Sequence, residues 1–139
     1  MAFQYTHTVR FNEVDKAGVI FFSRYFEICH NAWEEALGAA LGNWFEFMEQ
    51  AGWGLPLAHA EADFRRPAFL GDGLHVALAI AARGESSLTL SFEAKHPERG
   101  LCARVQHVHT SIGLQTFRPV PLAADFLGAL AEIGLQAPG

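Results

Sequence analysis

Asp15 stands in a polar bend, and the residues that follow it, Lys16-Ala17-Gly18-Val19-Ile20-Phe21-Phe22, are almost wholly apolar. A carboxylate in such a setting is expected to be partly desolvated, which raises its basicity and its reactivity toward a carbonyl. A helical pattern begins at Ser23. The first turn of a helix presents backbone N–H groups that lack intrahelical partners, and such groups can steady a developing oxyanion. One short loop can therefore supply both an attacking carboxylate and a dipole that polarises an electrophile. On composition alone the plainer reading, Asp15 as a turn residue before Gly18, is favoured.

Other chemistry-bearing residues are less organised. The chain has seven histidines, and His107 and His109 lie two apart in a strand-like segment, with His7 or His75 as a possible neighbour. Two histidines on one face of a strand can begin a metal site, but no carboxylate or cysteine stands at a matching spacing. Satisfied, partly buried histidines and no metal are the expectation. A Gly-x-Ser-x-Gly elbow is absent, so a serine-hydrolase nucleophile is not offered. Cys29 and His30 are neighbours on a helix and point different ways, which disfavours a Cys-His pair. Phe22, Phe26, Trp33, Trp44, Phe45, Phe47 and Trp53 read mainly as core, with a subset available to line an aryl pocket.

The elements that must position these groups follow from two periodicities. Phe3, Tyr5, His7, Val9 and Phe11 alternate with polar residues, a period of two that predicts a strand. Phe22, Phe26, Cys29, Trp33, Ala36, Leu37 and Ala40 recur at three- and four-residue steps, which predicts a helix from an N-cap at Ser23 to a stop at Gly42-Asn43. Its length would be roughly 20 residues, or about 30 Å. A shorter helix is expected at Trp44 to Gln50. Strands are predicted at Leu57–Phe64, Leu74–Ala81, Leu88–Lys95 and Leu101–Leu114, and a terminal helix at Leu122–Ile133. One strand, a long helix and then four strands is an α+β order. The sheet face away from the helix would need cover, and Ala77, Ala79 and Ala81 would let another subunit approach closely.

At 139 residues, half of them apolar, the chain suits one domain spanning 1–139. No apolar run approaches the ~18 residues needed to cross a bilayer. The start, MAFQYTHTVRF, alternates where a signal peptide would show a basic end and an apolar run, so the cytoplasm is expected. Cys29 and Cys102 read as reduced core thiols. With a net charge of -5 and no basic run interleaved with aromatics, a nucleic-acid partner has little support. An anionic ligand would need only a local cluster, and Arg65-Arg66 is the one adjacent basic pair.

Arg10-Phe11-Asn12-Glu13-Val14-Asp15-Lys16-Ala17-Gly18-Val19-Ile20-Phe21-Phe22, followed by Tyr25 and Phe26, resembles the signature of the 4-hydroxybenzoyl-CoA thioesterase family. It is most similar to the 1,4-dihydroxy-2-naphthoyl-CoA thioesterase branch in Cys29-His30, Asn31-Ala32-Trp33-Glu34, Leu55-Pro56-Leu57-Ala58-His59-Ala60, Asp63-Phe64, Pro67-Ala68 and Gly71-Asp72. Arg104 to His109 and Pro119-Val120-Pro121-Leu122 fit as well, so the likeness covers nearly the whole chain.

The resemblance implies a hot-dog fold, with an antiparallel five-stranded sheet around a long helix. It also implies a homotetramer built as a dimer of dimers, an acyl-CoA substrate, and no metal or cofactor. Asp15 matches the catalytic carboxylate, acting as nucleophile or general base. Gly18 belongs to the same motif, and the Phe22 N–H matches the group that polarises the thioester carbonyl. His30 stands where 4-hydroxybenzoyl enzymes carry an Asp that holds the ring hydroxyl, which makes it a candidate partner for a phenol on a bulkier aryl group. Trp33, Leu55 and His59 are further candidates for the acyl pocket, with His59 equally readable as structural. Arg65, Arg66 and Arg118 are candidates for the coenzyme phosphates, or solvated strand ends. Lys16, where a small residue or Pro is usual, is a departure. An acyl-carrier-protein thioesterase and a non-catalytic acyl-CoA-binding oligomer stay open as alternatives.

Overall fold

A computed structural model describes residues 2–139; Met1, the first residue of the predicted domain and of the alternating N-terminal segment, lies outside the described residues. In chain order the elements are β1 (Phe3–Thr8), a 3-10 turn (Phe11–Glu13), α1 (Arg24–Leu41), α2 (Trp44–Ala51), β2 (Trp53–Gly54), β3 (Leu57–Phe64), β4 (Gly73–Arg83), β5 (Ser87–His96), β6 (Gly100–Thr110), β7 (Ile112–Gly113) and α3 (Ala124–Glu132). β1, β4, β5, β6 and β3 form, in that order, one sheet of five antiparallel strands.

Alternation decides which side of that sheet is dry. Leu74, Val76, Leu78 and Ile80 of β4 and Leu88, Leu90, Phe92 and Ala94 of β5 all point inward and are buried. Each such large side chain contributes roughly 1.5–3 kcal/mol by leaving water. The inward face meets a single stripe of α1, made of Tyr25, Ile28, Cys29, Ala32, Trp33, Ala36 and Leu37. α1 stops where Gly42 adopts φ +70 and its N–H donates to Gly38 O at 2.9 Å. α3 packs beside α1, with Phe126 set edge-on against Trp33 and Trp53 at 6.4 and 5.0 Å between ring centroids. On the other face of the sheet, Ala77 and Ala79 are partly exposed.

Several boundaries differ from the sequence expectation. β1 ends at Thr8, and Phe11 falls in the 3-10 turn and is 81% exposed. The turn closes because the Glu13 carboxylate accepts from the Arg10 N–H at 2.8 Å, a local bond that alternation alone does not reveal. Ser23 holds the N-cap position of α1 but its hydroxyl makes no capping bond. The long last strand is two pieces: β6 stops at Thr110, and β7 pairs with β2 in a separate two-stranded sheet.

Candidate active site

The Asp15 loop is a closed hairpin-like bend. The Asp15 N–H donates to Val19 O at 2.9 Å, the Gly18 N–H donates to Asp15 O at 3.0 Å, and Val14 bridges Ile20. Asp15 Oδ1 accepts from the N–H groups of Ala17 at 2.9 Å and Val19 at 3.3 Å. Gly18 sits at φ +78 with open space where a β-carbon would be, so its requirement is conformational and not steric packing. The bend docks on the segment before β4: Ile20 N–H donates to Ala68 O and Leu70 N–H to Gly18 O, at 2.9 and 3.0 Å. That segment is itself pinned by Asp72, which accepts from the Phe69 N–H at 2.8 Å and pairs with Arg99.

Asp15 is exposed in the chain and lines neither of the two cavities described below, so the expected desolvation is absent here. Of the apolar residues beside it, Ile20 turns into the core, whereas Phe21 and Phe22 project outward at 47% and 56% exposure. Neighbours in a tight bend point away from one another, and an apolar sequence around a carboxylate does not by itself bury it. The Phe22 N–H has no acceptor among the described residues, although the amides of Phe21 and Arg24 on either side of its turn are bonded, at 2.9 Å each.

Two cavities of about 340 Å3 flank α1. The first lies among α1, α2, β6 and the β2–β7 pair. Its walls bring together three of the predicted residues, His30, Trp33 and Leu55, with Trp44, Trp53 and His109. His30 Nε2 is 2.7 Å from Glu34 Oε2, one helical turn on, and both side chains are about half exposed. The second cavity is lined by Phe22, Tyr25, Phe64, Arg65 and Arg66. Cys102 O receives the backbone N–H of both arginines, at 2.8 and 3.2 Å. Neither guanidinium has a carboxylate within 4.0 Å among the described residues. Tyr25 is buried with its hydroxyl unpartnered, and burial raises its pKa.

Besides Asp15 and Gly18, two predicted residues are not gathered into these cavities. His59 pairs in register with Val108, on the sheet face opposite His107, and its nearest carboxylate is Glu61 at 3.9 Å. Arg118 lies in the exposed loop after β7, where its N–H donates to Thr116 Oγ1 at 3.2 Å.

His107 and His109 do share one face of β6, but they are neither partly buried nor satisfied. They are 2% and 3% exposed, and three of their four ring nitrogens lack a partner. Only His109 Nδ1 is engaged, donating to Leu55 O at 2.9 Å. Phe26 and Phe92 pack on His107 and Trp33 on His109, so partners that periodicity cannot see are aromatic and not polar. Burial, and behind it the charges of His109 and His30, pushes the His107 pKa down to about 4. His109 is also pushed down by burial, against the opposing effect of its bond to Leu55. A buried acceptor without a partner costs about 1–3 kcal/mol. His7 instead pairs with Glu13 at 2.8 Å, and His75 is exposed on β4. Among the described residues no three His, Cys, Asp or Glu side chains are grouped to hold a metal, and no helix is long and apolar enough to cross a membrane. Sequence reasoning missed His109 as a pocket residue; its inward step of two from Val105 and His107 was the available signal.

Known proteins resemble this chain in sequence and fold. A 1,4-dihydroxy-2-naphthoyl-CoA hydrolase from Synechococcus elongatus is 34% identical over 122 residues, 86% of this chain and 88% of its own length. The crystal structure of a 1,4-dihydroxy-2-naphthoyl-CoA thioesterase from Synechocystis superposes with a TM-score of 0.86 at 30% identity, covering 96% of this chain and 98% of that one. A Staphylococcus aureus protein solved in complex with CoA has the same fold, with a TM-score of 0.86 at 18% identity over 100% of this chain and 87% of its own. Residues 9–130, which run from the end of the first strand through the Asp15 loop and both cavities to the last helix, match the thioesterase-like superfamily, and the chain belongs to it.

Proposed function

We propose that this chain hydrolyses an aryl-CoA thioester, with 1,4-dihydroxy-2-naphthoyl-CoA as the leading substrate. The observation that carries the choice of acyl group is the cavity walled by Trp33, Trp44 and Trp53 and edged by His30 and His109. Its 340 Å3 lies within the range of pockets that enclose small ligands. Flat indole walls suit a fused aromatic ring, and His30 and Leu55 join Trp33 in contacting it. Support for the coenzyme end comes from Arg65 and Arg66 at the second cavity; Arg118 and His59 reach substrate in this proposal only through the assembly.

Asp15 carries the chemistry. As nucleophile, its carboxylate attacks the thioester carbon, the C–S bond breaks with the electron pair leaving on coenzyme A sulfur, and water then cleaves the mixed anhydride to release the acid and restore the carboxylate. As general base, it takes a proton from water while the oxygen attacks the same carbon, and that proton passes to the departing thiolate. Either route puts negative charge on the carbonyl oxygen, where the unbonded Phe22 N–H stabilises it. Gly18 holds the bend that aims the carboxylate.

The proposal includes a homotetramer built as a dimer of dimers. β3 is an edge strand with Leu57 and Phe64 half exposed, and Phe22 lies against Phe64. Unpaired edges of this kind invite another strand. A second copy there would cover the Asp15 loop and supply the desolvation that the single chain lacks. Two buried thiols, Cys29 and Cys102, suit a reducing compartment, and the cytoplasm is the proposed location.

A thiol-release screen tests the activity. CoA esters of hydroxynaphthoate, 4-hydroxybenzoate and aliphatic acids are compared with the same groups on acyl-carrier protein. The hydroxynaphthoyl-CoA ester is expected to be fastest, and Asp15→Asn to fold normally with turnover lowered at least ~10²-fold. Faster release from aliphatic or carrier-bound esters would move the substrate assignment. Tight binding with no thiol release would make the chain a non-catalytic acyl-CoA binder. A monomer at micromolar concentration in sedimentation would remove the tetramer.

A further inference from the structure

We infer that Arg99 is a positioning residue for the reaction: acting through Asp72 and Phe69, it holds in place the bend that carries Asp15. The inference rests on the aryl-thioester proposal, in which Asp15 does the chemistry, and adds a residue that lies outside both cavities.

The connection is a short chain of contacts. The Arg99 guanidinium pairs with the Asp72 carboxylate and lies over the Phe69 ring, 5.2 Å from its centroid. Asp72 Oδ2, the oxygen that meets Arg99, also accepts from the Phe69 N–H at 2.8 Å, a charge-assisted bond. Phe69 bridges Val19 as an antiparallel pair, and the amides of Ile20 and Leu70 bond across on either side of it. Val19 in turn donates its N–H to Asp15 Oδ1 at 3.3 Å and accepts from the Asp15 N–H at 2.9 Å. Arg99 thus grips the ring of Phe69 directly and its backbone through Asp72, one bridge away from the partner of the carboxylate.

Packing does not replace that grip. The bonds inside the bend fix its shape, whereas its orientation comes from docking on residues 68–70. Of these, Ala68 is buried but Phe69 and Leu70 are 41% and 49% exposed, so the core holds only one end of the segment. The other end is tied to β1, where Val9 exchanges backbone bonds of 2.9 Å with Gly71 and Asp72. Between those two ends, the side-chain hold on Phe69 comes from Asp72 and Arg99. Arg99 itself stands on a firm base. His96 Nδ1 accepts from the N–H groups of Glu98 and Arg99 at 3.1 Å each, which closes the turn between β5 and β6. Displacing a reacting group by about 1 Å can lower a rate ~10²-fold, so a tether one bridge away has leverage on turnover.

The test measures thiol release from 1,4-dihydroxy-2-naphthoyl-CoA at a temperature where circular dichroism shows each variant fully folded. Arg99→Gln should lower kcat about tenfold or more and leave KM within about twofold. Arg99→Lys, which keeps the charge but not the flat fork, should recover part of the loss. Asp72→Asn should lower kcat as well, and combining it with Arg99→Gln should cost no more than the worse single change, because both act along one path. A second readout needs no turnover: in Arg99→Gln the amides of Val19, Ile20 and Leu70 should exchange hydrogen faster, while those of α1 keep their wild-type rates. Unchanged kcat in folded Arg99→Gln, no recovery by lysine, fully additive losses, or exchange that rises equally in α1 would each overturn the positioning role and leave the aryl thioesterase standing. No hydrolysis of the ester by the unmodified protein would instead sink the aryl-thioester proposal, and the exchange rates would still decide whether Arg99 holds the bend.

Discussion

Replacing His107 with leucine should flatten the loss of stability on acidification. His107 is 2% exposed, touches Phe26 and Phe92, and has no partner for either ring nitrogen. Its pKa is pushed from 6.5 to about 4 by burial, with His109 and His30 adding in the same direction. Between those values the unfolded chain binds a proton that the native chain refuses, so stability is complete above about pH 6.5 and falls as the pH drops toward 4. At 1.36 kcal/mol per unit the full contribution is about 3 kcal/mol, and about 2 kcal/mol of it should be gone by pH 5. Urea unfolding at fixed protein concentration, repeated from pH 7.5 to pH 4.5, measures this directly. His109 adds a loss of the same sign in both proteins, so the difference between wild type and His107→Leu isolates His107. Parallel pH curves for the two proteins would refute the idea that a neutral, unsatisfied imidazole sits in this core.

Gly18→Ala should lower stability by about 1–2 kcal/mol through its left-handed backbone; thermal melts check that, and a drop in turnover beyond the loss of folded protein would show that the bend aims Asp15. Phe126→Ala should cost about 3–5 kcal/mol in chemical unfolding, because its ring is fully buried between Trp33 and Trp53. Cys29 is buried and its thiol pKa is raised by desolvation, so iodoacetamide should label it only as fast as the protein unfolds; rapid labelling of native protein would contradict the packing of α1.

Much of the fold was legible because periodicity maps directly onto faces. The period of two in β4 and β5 and the three- and four-residue steps in α1 named most of the buried residues before any contact was known. The Asp15 loop was legible too, since Gly18 at φ +78 and a carboxylate bonded to its own bend are local events. Long-range pairing was not. The β2–β7 sheet joins residues some sixty positions apart through only two pairs, too few to leave a pattern. The bond that His109 Nδ1 donates to Leu55 O spans 54 residues and selects the tautomer of a ring that strand alternation shows only as inward-facing. His59 and His109 look alike in sequence, yet a register shift between Leu57 and His59 places one on the outer face and the other in the cavity wall. Apolar flanks likewise suggested a shielded Asp15, whereas shielding depends on what lies across from a side chain in space. Patterns within one element therefore determined the scaffold and the loop; contacts between distant elements decided which polar groups are left waiting for a partner.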